Sequence, residues 1–338
     1  MSAETKGDFP MCTALSFCRF FGRNLDLEKS YGEEVCLVGR RFPFLFREAS
    51  PLKQHYALIG MATLREGMPL FFDAVNEHGI AMAGLNFPGN AHYHPLCNAK
   101  DNIAPFELIP WVLGSCQNLK EVKALLHRIN IAEIGFSPTL PPTPLHWMIA
   151  TPEGDLVVES TANGVEIFEN QVGVLTNNPP FGQQLIGLDR HKYLHNQSPS
   201  SKIVTDSPHS FHSLGLGALG LPGDYSSKSR FARGYFLREF AQRDFESKEE
   251  QVEQFFHLLS ALSVPKGCLK TPSGEDHYTR YSSGMDLEQC VYYYTTYFHS
   301  RITAIPLSHA DLESAELYRF PLEKGSSIAV LGRADFFF

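Results

Sequence analysis

The order in which strand-like and helix-like segments follow one another restricts this chain to few architectures. Runs rich in β-branched and aromatic residues, bounded by Gly, Pro and Asn, occupy positions 13–21, 36–39, 56–64, 70–75 and 80–85. Glu77-His78-Gly79 reads as a tight hairpin turn between the last two. A helix follows. Asn118 with Glu121 three residues on is a capping-box-like start, and Leu119, Val122, Leu125, Leu126 and Ile129 form an apolar stripe at helical spacing. Strands return at 145–150, 156–161, 165–169 and 172–176. Two more helices are predicted. One covers 229–242, with Phe231, Tyr235, Leu237 and Phe240 on one side. The other is opened by Ser247 and Glu250 and carries Val252, Phe255, Phe256, Leu259 and Leu262. A last strand group is expected at 278–285, 290–297, 301–306 and 328–331, with Tyr292, Tyr293, Tyr294 and Tyr297 assigned to sheet packing. Strands that come in groups, rather than alternating singly with helices, argue against βαβ units. They predict an α+β arrangement of antiparallel sheets covered by helices.

Whole-chain properties narrow the function classes. With 338 residues, 43% apolar and 20% charged, the chain can bury a large core without staples. No repeat, low-complexity block or linker divides it. The net charge of −8 argues against nucleic acid or an anionic membrane surface as a partner, and obliges an anionic substrate to find local arginines. The first ten residues hold no apolar h-region, and no run approaches ~18 apolar residues, so neither a signal peptide nor a membrane span is expected. Seven cysteines, an odd number without a CxxC pair, read as reduced thiols, and the expected location is cytoplasmic.

The chemistry centres on Met11-Cys12-Thr13. Read alone, Cys12 is a small buried apolar residue on an edge strand. A cysteine that follows a possible initiator methionine, however, can become the first residue of a mature chain. It then carries a thiol and a free α-amine, which titrates near ~8 and serves as a base attached to its own nucleophile. Arg23 and Asp26 stand three residues apart in Gly22-Arg23-Asn24-Leu25-Asp26. They are either a surface ion pair or, beside Cys12, groups that favour a thiolate and hold an amine. Asn86 and Asn177 each end a strand before Pro-containing turns. Such asparagines are common turn formers, but a carboxamide N–H there can also donate to an oxyanion. Arg230 opens a helix, where a charge is usually solvated unless it points back at Cys12. Gly215-Leu216-Gly217-Ala218-Leu219-Gly220 matches GxGxxG but has no preceding buried strand and is broken by Pro222, so it reads as a glycine loop. His92, His94 and Cys97 have incomplete metal-ligand spacing interrupted by Pro95 and read as a loop. No GxSxG context is present.

Taken together, six ordered blocks resemble the choloylglycine hydrolase family of N-terminal-nucleophile amidases, which contains bile salt hydrolases and penicillin V acylases. The blocks are Met11-Cys12-Thr13, Gly22-Arg23-Asn24-Leu25-Asp26, Gly84-Leu85-Asn86-Phe87-Pro88, Leu145-His146-Trp147-Met148, Gly173-Val174-Leu175-Thr176-Asn177, and Gly220-Leu221-Pro222-Gly223-Asp224 with Ser229-Arg230-Phe231. The resemblance implies a four-layer αββα sandwich, two stacked antiparallel sheets between helical layers. It implies Cys12 as nucleophile, flanked by Arg23 and Asp26, with Asn86 and Asn177 stabilising the oxyanion or orienting the amine and Arg230 supporting the thiolate. Leu25, Ile134, Phe136 and Leu140 would face an apolar acyl group. Asn at position 86, where penicillin V acylases tend to carry Tyr, leans toward conjugated bile acids as substrate. The alternatives are a penicillin V or other N-acyl acylase, and a non-catalytic binder of amphipathic acids with a blocked Cys12. No cofactor or metal is implied, and a homotetramer is expected. Two features depart from the family. Residues 1–11 would be a leader, a propeptide or a mis-assigned start before a single domain at 12–338, and the stretch from Cys12 to Arg23 is short, which predicts a tightened first hairpin. The Phe336-Phe337-Phe338 run matches no pattern.

Overall fold

A computed structural model describes residues 11–52, 54–200, 213–325, 328–330 and 332. The expected leader up to residue 10, Leu331 and the terminal Phe run lie outside the described residues. The strands in chain order are β1 (Met11–Phe17), β2 (Phe20–Leu27), β3 (Glu34–Val38), β4 (Leu58–Arg65), β5 (Met68–Asn76), β6 (Ala81–Asn86), β7 (Asp101–Ile103) and β8 (Ile129–Ile131). They continue as β9 (Leu145–Thr151), β10 (Gly154–Thr161), β11 (Gly164–Glu169), β12 (Val174–Leu175), β13 (Tyr278–Asp286), β14 (Val291–Thr296), β15 (His299–Pro306) and β16 (Leu317–Pro321). The helices are α1 (Leu108–Ser115), α2 (Leu119–Leu126), α3 (Phe181–Gly187), α4 (Ser227–Phe240) and α5 (Lys248–Ser260).

Two antiparallel sheets dominate, ordered β12-β1-β2-β13-β14-β15 and β11-β10-β9-β6-β5-β4-β3-β16. Period-two alternation sorts each strand of the larger sheet between two cores. Val35, Leu37, Ile59, Ala83, Met148 and Val157 face the smaller sheet and pack with Ala14, Phe21 and Tyr292. Their neighbours Cys36, Val38, Leu58, Met82, Trp147 and Val158 face outward onto Trp111, Val112 and Leu113 of α1 and Val122 of α2. On the far side of the smaller sheet, Phe231 of α4 and Val252, Phe255 and Leu259 of α5 complete the first core. The layers are thus α4 and α5, small sheet, large sheet, α1 and α2, the predicted αββα order.

Local chemistry accounts for the ends of several elements. Asn118 caps α2, its side chain accepting from the Glu121 backbone N–H, and Ser247 caps α5 by accepting from Glu250. Gly79 supplies φ +74° to the turn between β5 and β6. The run expected at 13–21 is a hairpin, β1 turning into β2 through Cys18-Arg19 alone, with Cys18 at φ +53°. That is the tight connection its length predicted. Ile129, expected at the end of a helical stripe, begins β8 instead. The strand expected at 328–331 is absent from 328–330, and the chain pairs earlier, β16 lying along β3 with Leu317 opposite Val38. No helix among the described residues is long and apolar enough to cross a membrane.

Candidate active site

Cys12 lies near the start of β1 and is 2% exposed. Cross-strand partners share a face, so its thiol points between the sheets beside Leu25, its partner on β2, and Tyr281, the partner of Leu25 on β13. The Cys12 backbone N–H donates to Asn177 Oδ1 over 2.9 Å. The same oxygen accepts from Arg230 Nη2 at 2.8 Å, while Arg230 Nη1 donates to the Cys12 carbonyl and to Thr13 Oγ1, both at 2.5 Å. Asn177 Nδ2 donates to the Asn86 carbonyl at 2.8 Å. Four of the sequence candidates, two of them more than 160 residues from Cys12, therefore form one hydrogen-bonded cluster.

Gly22 lets β13 run close beside β2: a Cβ at position 22 would lie 1.9 Å from the Ser283 carbonyl oxygen. Arg23 spans to the facing sheet, donating from Nη1 to the carbonyls of Gly84 at 2.6 Å and Phe72 at 3.1 Å. Its Nε and Nη2 meet no acceptor. Nearby, Tyr281 and Tyr292 donate their hydroxyls to Asp73 Oδ2 at 2.6 Å and Oδ1 at 2.5 Å, and all four side chains are fully buried between the sheets. Burial opposes the charge on Arg23, but Cys12, Tyr281, Asp73 and Asp26 together hold its pKa above the ordinary value. Burial pushes the Asp73 carboxyl up against the pull of Arg23 and the two hydroxyls.

Asp26, opposite Met11 in the β1–β2 register, accepts from Thr279 Oγ1 on Oδ1 at 2.6 Å and leaves Oδ2 without a partner. Burial pushes its carboxyl up to about 6, against Arg230, the Thr279 bond and Arg23. Burial also raises the Cys12 thiol; Arg23 and Arg230 pull it down, and the Asp26 charge adds to the rise. Burial lowers the Arg230 pKa, opposed by Asp26 and Cys12. Asn86 Nδ2 is buried with no acceptor. The cluster thus combines a thiol, a carboxylate oxygen with spare capacity, an unspent carboxamide donor and two guanidinium groups. Those are the elements needed to attack an acyl carbon and receive the resulting oxyanion.

The expected apolar loop forms a separate group. Phe136 N–H donates to the Leu140 carbonyl at 3.0 Å, Arg47 Nη2 donates to the Phe136 carbonyl at 2.7 Å, and the Phe136 ring meets Phe106 with centroids 5.4 Å apart. Ile134 precedes this turn and is half-buried. His94 Nε2 lies 2.9 Å from the Thr161 carbonyl, within a loop, and the GxGxxG segment forms only a short turn at Leu216–Ala218. Sequence reasoning missed Asp73, Tyr281, Tyr292 and Thr279. The signal available for Asp73 was a carboxylate inside the apolar run Phe71-Phe72-Asp73-Ala74-Val75.

Comparison with known proteins bears on this geometry. The family model of linear amide C–N hydrolases, choloylglycine hydrolase family, matches residues 12–320. The bile salt hydrolase/transferase of Lactiplantibacillus plantarum is 43% identical over 319 residues, covering 92% of this chain and 97% of the relative. A variant of the conjugated bile acid hydrolase of Clostridium perfringens superposes with a TM-score of 0.87 at 33% identity, covering 95% of this chain and all of that one. Penicillin V acylase of Agrobacterium tumefaciens, at 19% identity and a TM-score of 0.72 over 92% of this chain and 91% of its own, shares the fold.

Proposed function

This chain belongs to the choloylglycine hydrolase family of linear amide C–N hydrolases, and we propose that it cleaves the amide joining a bile acid to glycine or taurine, with Cys12 as an N-terminal nucleophile. The observation that carries the reading is the Cys12 nitrogen held 2.9 Å from Asn177 Oδ1. Asp26, whose charge acts on the Cys12 thiol, has a spare Oδ2 that would accept from a free α-amine. Removal of the residues before Cys12 creates that amine, and the family match beginning at residue 12 supports the cut. The acyl group is taken from the named relatives.

In this mechanism the α-amine accepts the thiol proton and the thiolate attacks the amide carbon. The charge that develops on oxygen is received by Asn86 Nδ2. The α-ammonium returns its proton to the departing nitrogen, releasing glycine or taurine and leaving a thioester on Cys12. Water, deprotonated by the same amine, then hydrolyses the thioester. Arg23 and Arg230 favour the thiolate that the buried site otherwise resists. Leu25, beside the thiol, and the loop of Ile134, Phe136 and Leu140 would meet the steroid. The seven unpaired cysteines support a reducing, cytoplasmic setting. Exposed Ile186 in α3, and Tyr193, Leu214 and Leu219 on the chain between α3 and α4, would be covered in a homotetramer.

Mass spectrometry under denaturing and native conditions tests the assignment together with turnover of glycocholate, taurocholate and penicillin V. The expected result is a chain beginning at Cys12, assembled as four copies, that releases glycine or taurine, and whose Cys12→Ala variant releases none. A chain retaining residues 1–11 that binds bile acids without product would make it a binder, and preference for penicillin V would replace the acyl group.

A further inference from the structure

His146 and Glu159 take no part in the steps above, yet both are completely buried, on the adjacent strands β9 and β10. Buried ionisable side chains are costly unless their polar atoms are met. His146 Nε2 lies 2.8 Å from the Thr176 carbonyl and Nδ1 lies 3.1 Å from Glu159 Oε1. A carbonyl oxygen only accepts, so Nε2 carries a hydrogen. Nδ1 faces a carboxyl oxygen, so a hydrogen bond ties the two side chains together. Glu159 Oε1 also accepts from the Phe181 backbone N–H at 3.0 Å.

Thr176 and Phe181 are the two ends of the turn Thr176-Asn177-Asn178-Pro179-Pro180-Phe181. The pair therefore grips both ends of the turn that carries Asn177, while Gln184 Nε2, donating to the Asn177 carbonyl at 2.6 Å, holds its middle. The His146 ring is also stacked on Phe87, with centroids 4.3 Å apart and planes 6° from parallel. Phe87 follows Asn86. Each asparagine of the Cys12 cluster thus has a chain neighbour in direct contact with His146.

We infer that His146 and Glu159 are a positioning pair that sets Asn177 against the Cys12 nitrogen and Asn86 toward the developing oxyanion. The inference rests on the reading of Cys12 as nucleophile. Glu159→Gln is the sharpest probe because it preserves shape but cannot preserve the bonding. A glutamine oxygen facing Nδ1 draws the only hydrogen of a neutral imidazole away from Thr176, and a glutamine NH2 there opposes the Phe181 N–H. One of the three bonds must break. His146→Phe keeps the ring stack and removes both hydrogen bonds.

The test measures kcat and KM for glycocholate per titrated Cys12 thiol, with folding followed by thermal melting. Both variants are expected to lose about 10²-fold in kcat with KM little changed, the scale of a small misplacement of catalytic groups. A merely structural pair would lower the melting temperature and leave kcat per thiol intact, which overturns the inference. The rate of Cys12 alkylation by iodoacetamide needs no substrate and should fall in both variants. It separates failure of the pair, where the rate is unchanged, from failure of the substrate assignment, where the parent alkylates at Cys12 but turns over no bile salt.

Discussion

Asn76 and Asn86 end neighbouring strands of the same sheet, β5 and β6, and both are buried. The Asn76 carboxamide is fully used. Its Nδ2 donates to the carbonyls of Leu113 and Cys116 at 2.8 Å, and its Oδ1 accepts from the N–H groups of His78 and Ile80 at 3.0 Å. It ties the β5–β6 turn to the end of α1. The Asn86 side chain, equally dry, leaves Nδ2 with nothing to donate to. A buried donor without a partner costs about 1–3 kcal/mol, and two further unmet atoms, Asp26 Oδ2 and Arg23 Nη2, belong to side chains whose charges act on Cys12. The difference separates scaffold from site. Where the fold needs an asparagine, all its bonds are made; where the reaction needs one, a bond is left for the transition state.

Substitutions at the two positions should therefore fail in opposite ways. Asn86→Ala should lower kcat by roughly 10²–10³, the usual loss of one oxyanion donor, and leave the melting temperature near that of the parent. A variant that melts early but turns over normally would place Asn86 in the scaffold. Asn76→Ala should reverse the pattern. About 2–3 kcal/mol of stability should be lost in urea titrations as buried carbonyls and N–H groups go unmet, with kcat per folded molecule unchanged. Asp26→Asn gives the smallest effect and depends on pH. Because the folded carboxyl is raised to about 6 from 3.8, ionised Asp26 destabilises the fold at pH 7, and that penalty fades as pH falls through 6 toward 4. In protein still carrying Met11, the variant should be more stable than its parent at pH 7, and the gap should shrink by about 1 kcal/mol on going to pH 5. A gap that widens in acid would mean that Asp26 is paired rather than unspent.

The α+β class was readable because the grouping of strands is a local pattern, while the stacked four-layer order came from the family resemblance. The caps at Asn118 and Ser247 were equally readable, since each bonds a residue three positions away. The length of the stretch from Cys12 to Arg23 announced a tight first hairpin, but its turn could not be located, because Cys18-Arg19 contains none of the residues that mark turns and Cys18 adopts positive φ without being glycine or asparagine. Helix α1 escaped because Pro110 sits inside it, and α3 because it follows two prolines. Cys12, Arg23, Asp26, Asn86, Asn177 and Arg230 were found through ordered motifs rather than through contacts. The roles of Asp73 and His146 stayed hidden because their partners, Tyr292 at 219 positions and Thr176 at 30 positions away, are brought close only by the completed sheets.

The β1–β2 ribbon pairs without interruption from Phe17 opposite Phe20 back to Met11 opposite Asp26. Its two ends therefore tolerate change very differently. Residues added at Cys18-Arg19 lengthen the ribbon outward and leave Ala14 facing Arg23 and Cys12 facing Leu25. One residue inserted between Cys12 and Phe17 would swing the thiol to the opposite face, toward α4 and α5, unless a bulge absorbed it. The far turn is free to vary in length, while the segment nearest the nucleophile can be edited only in pairs.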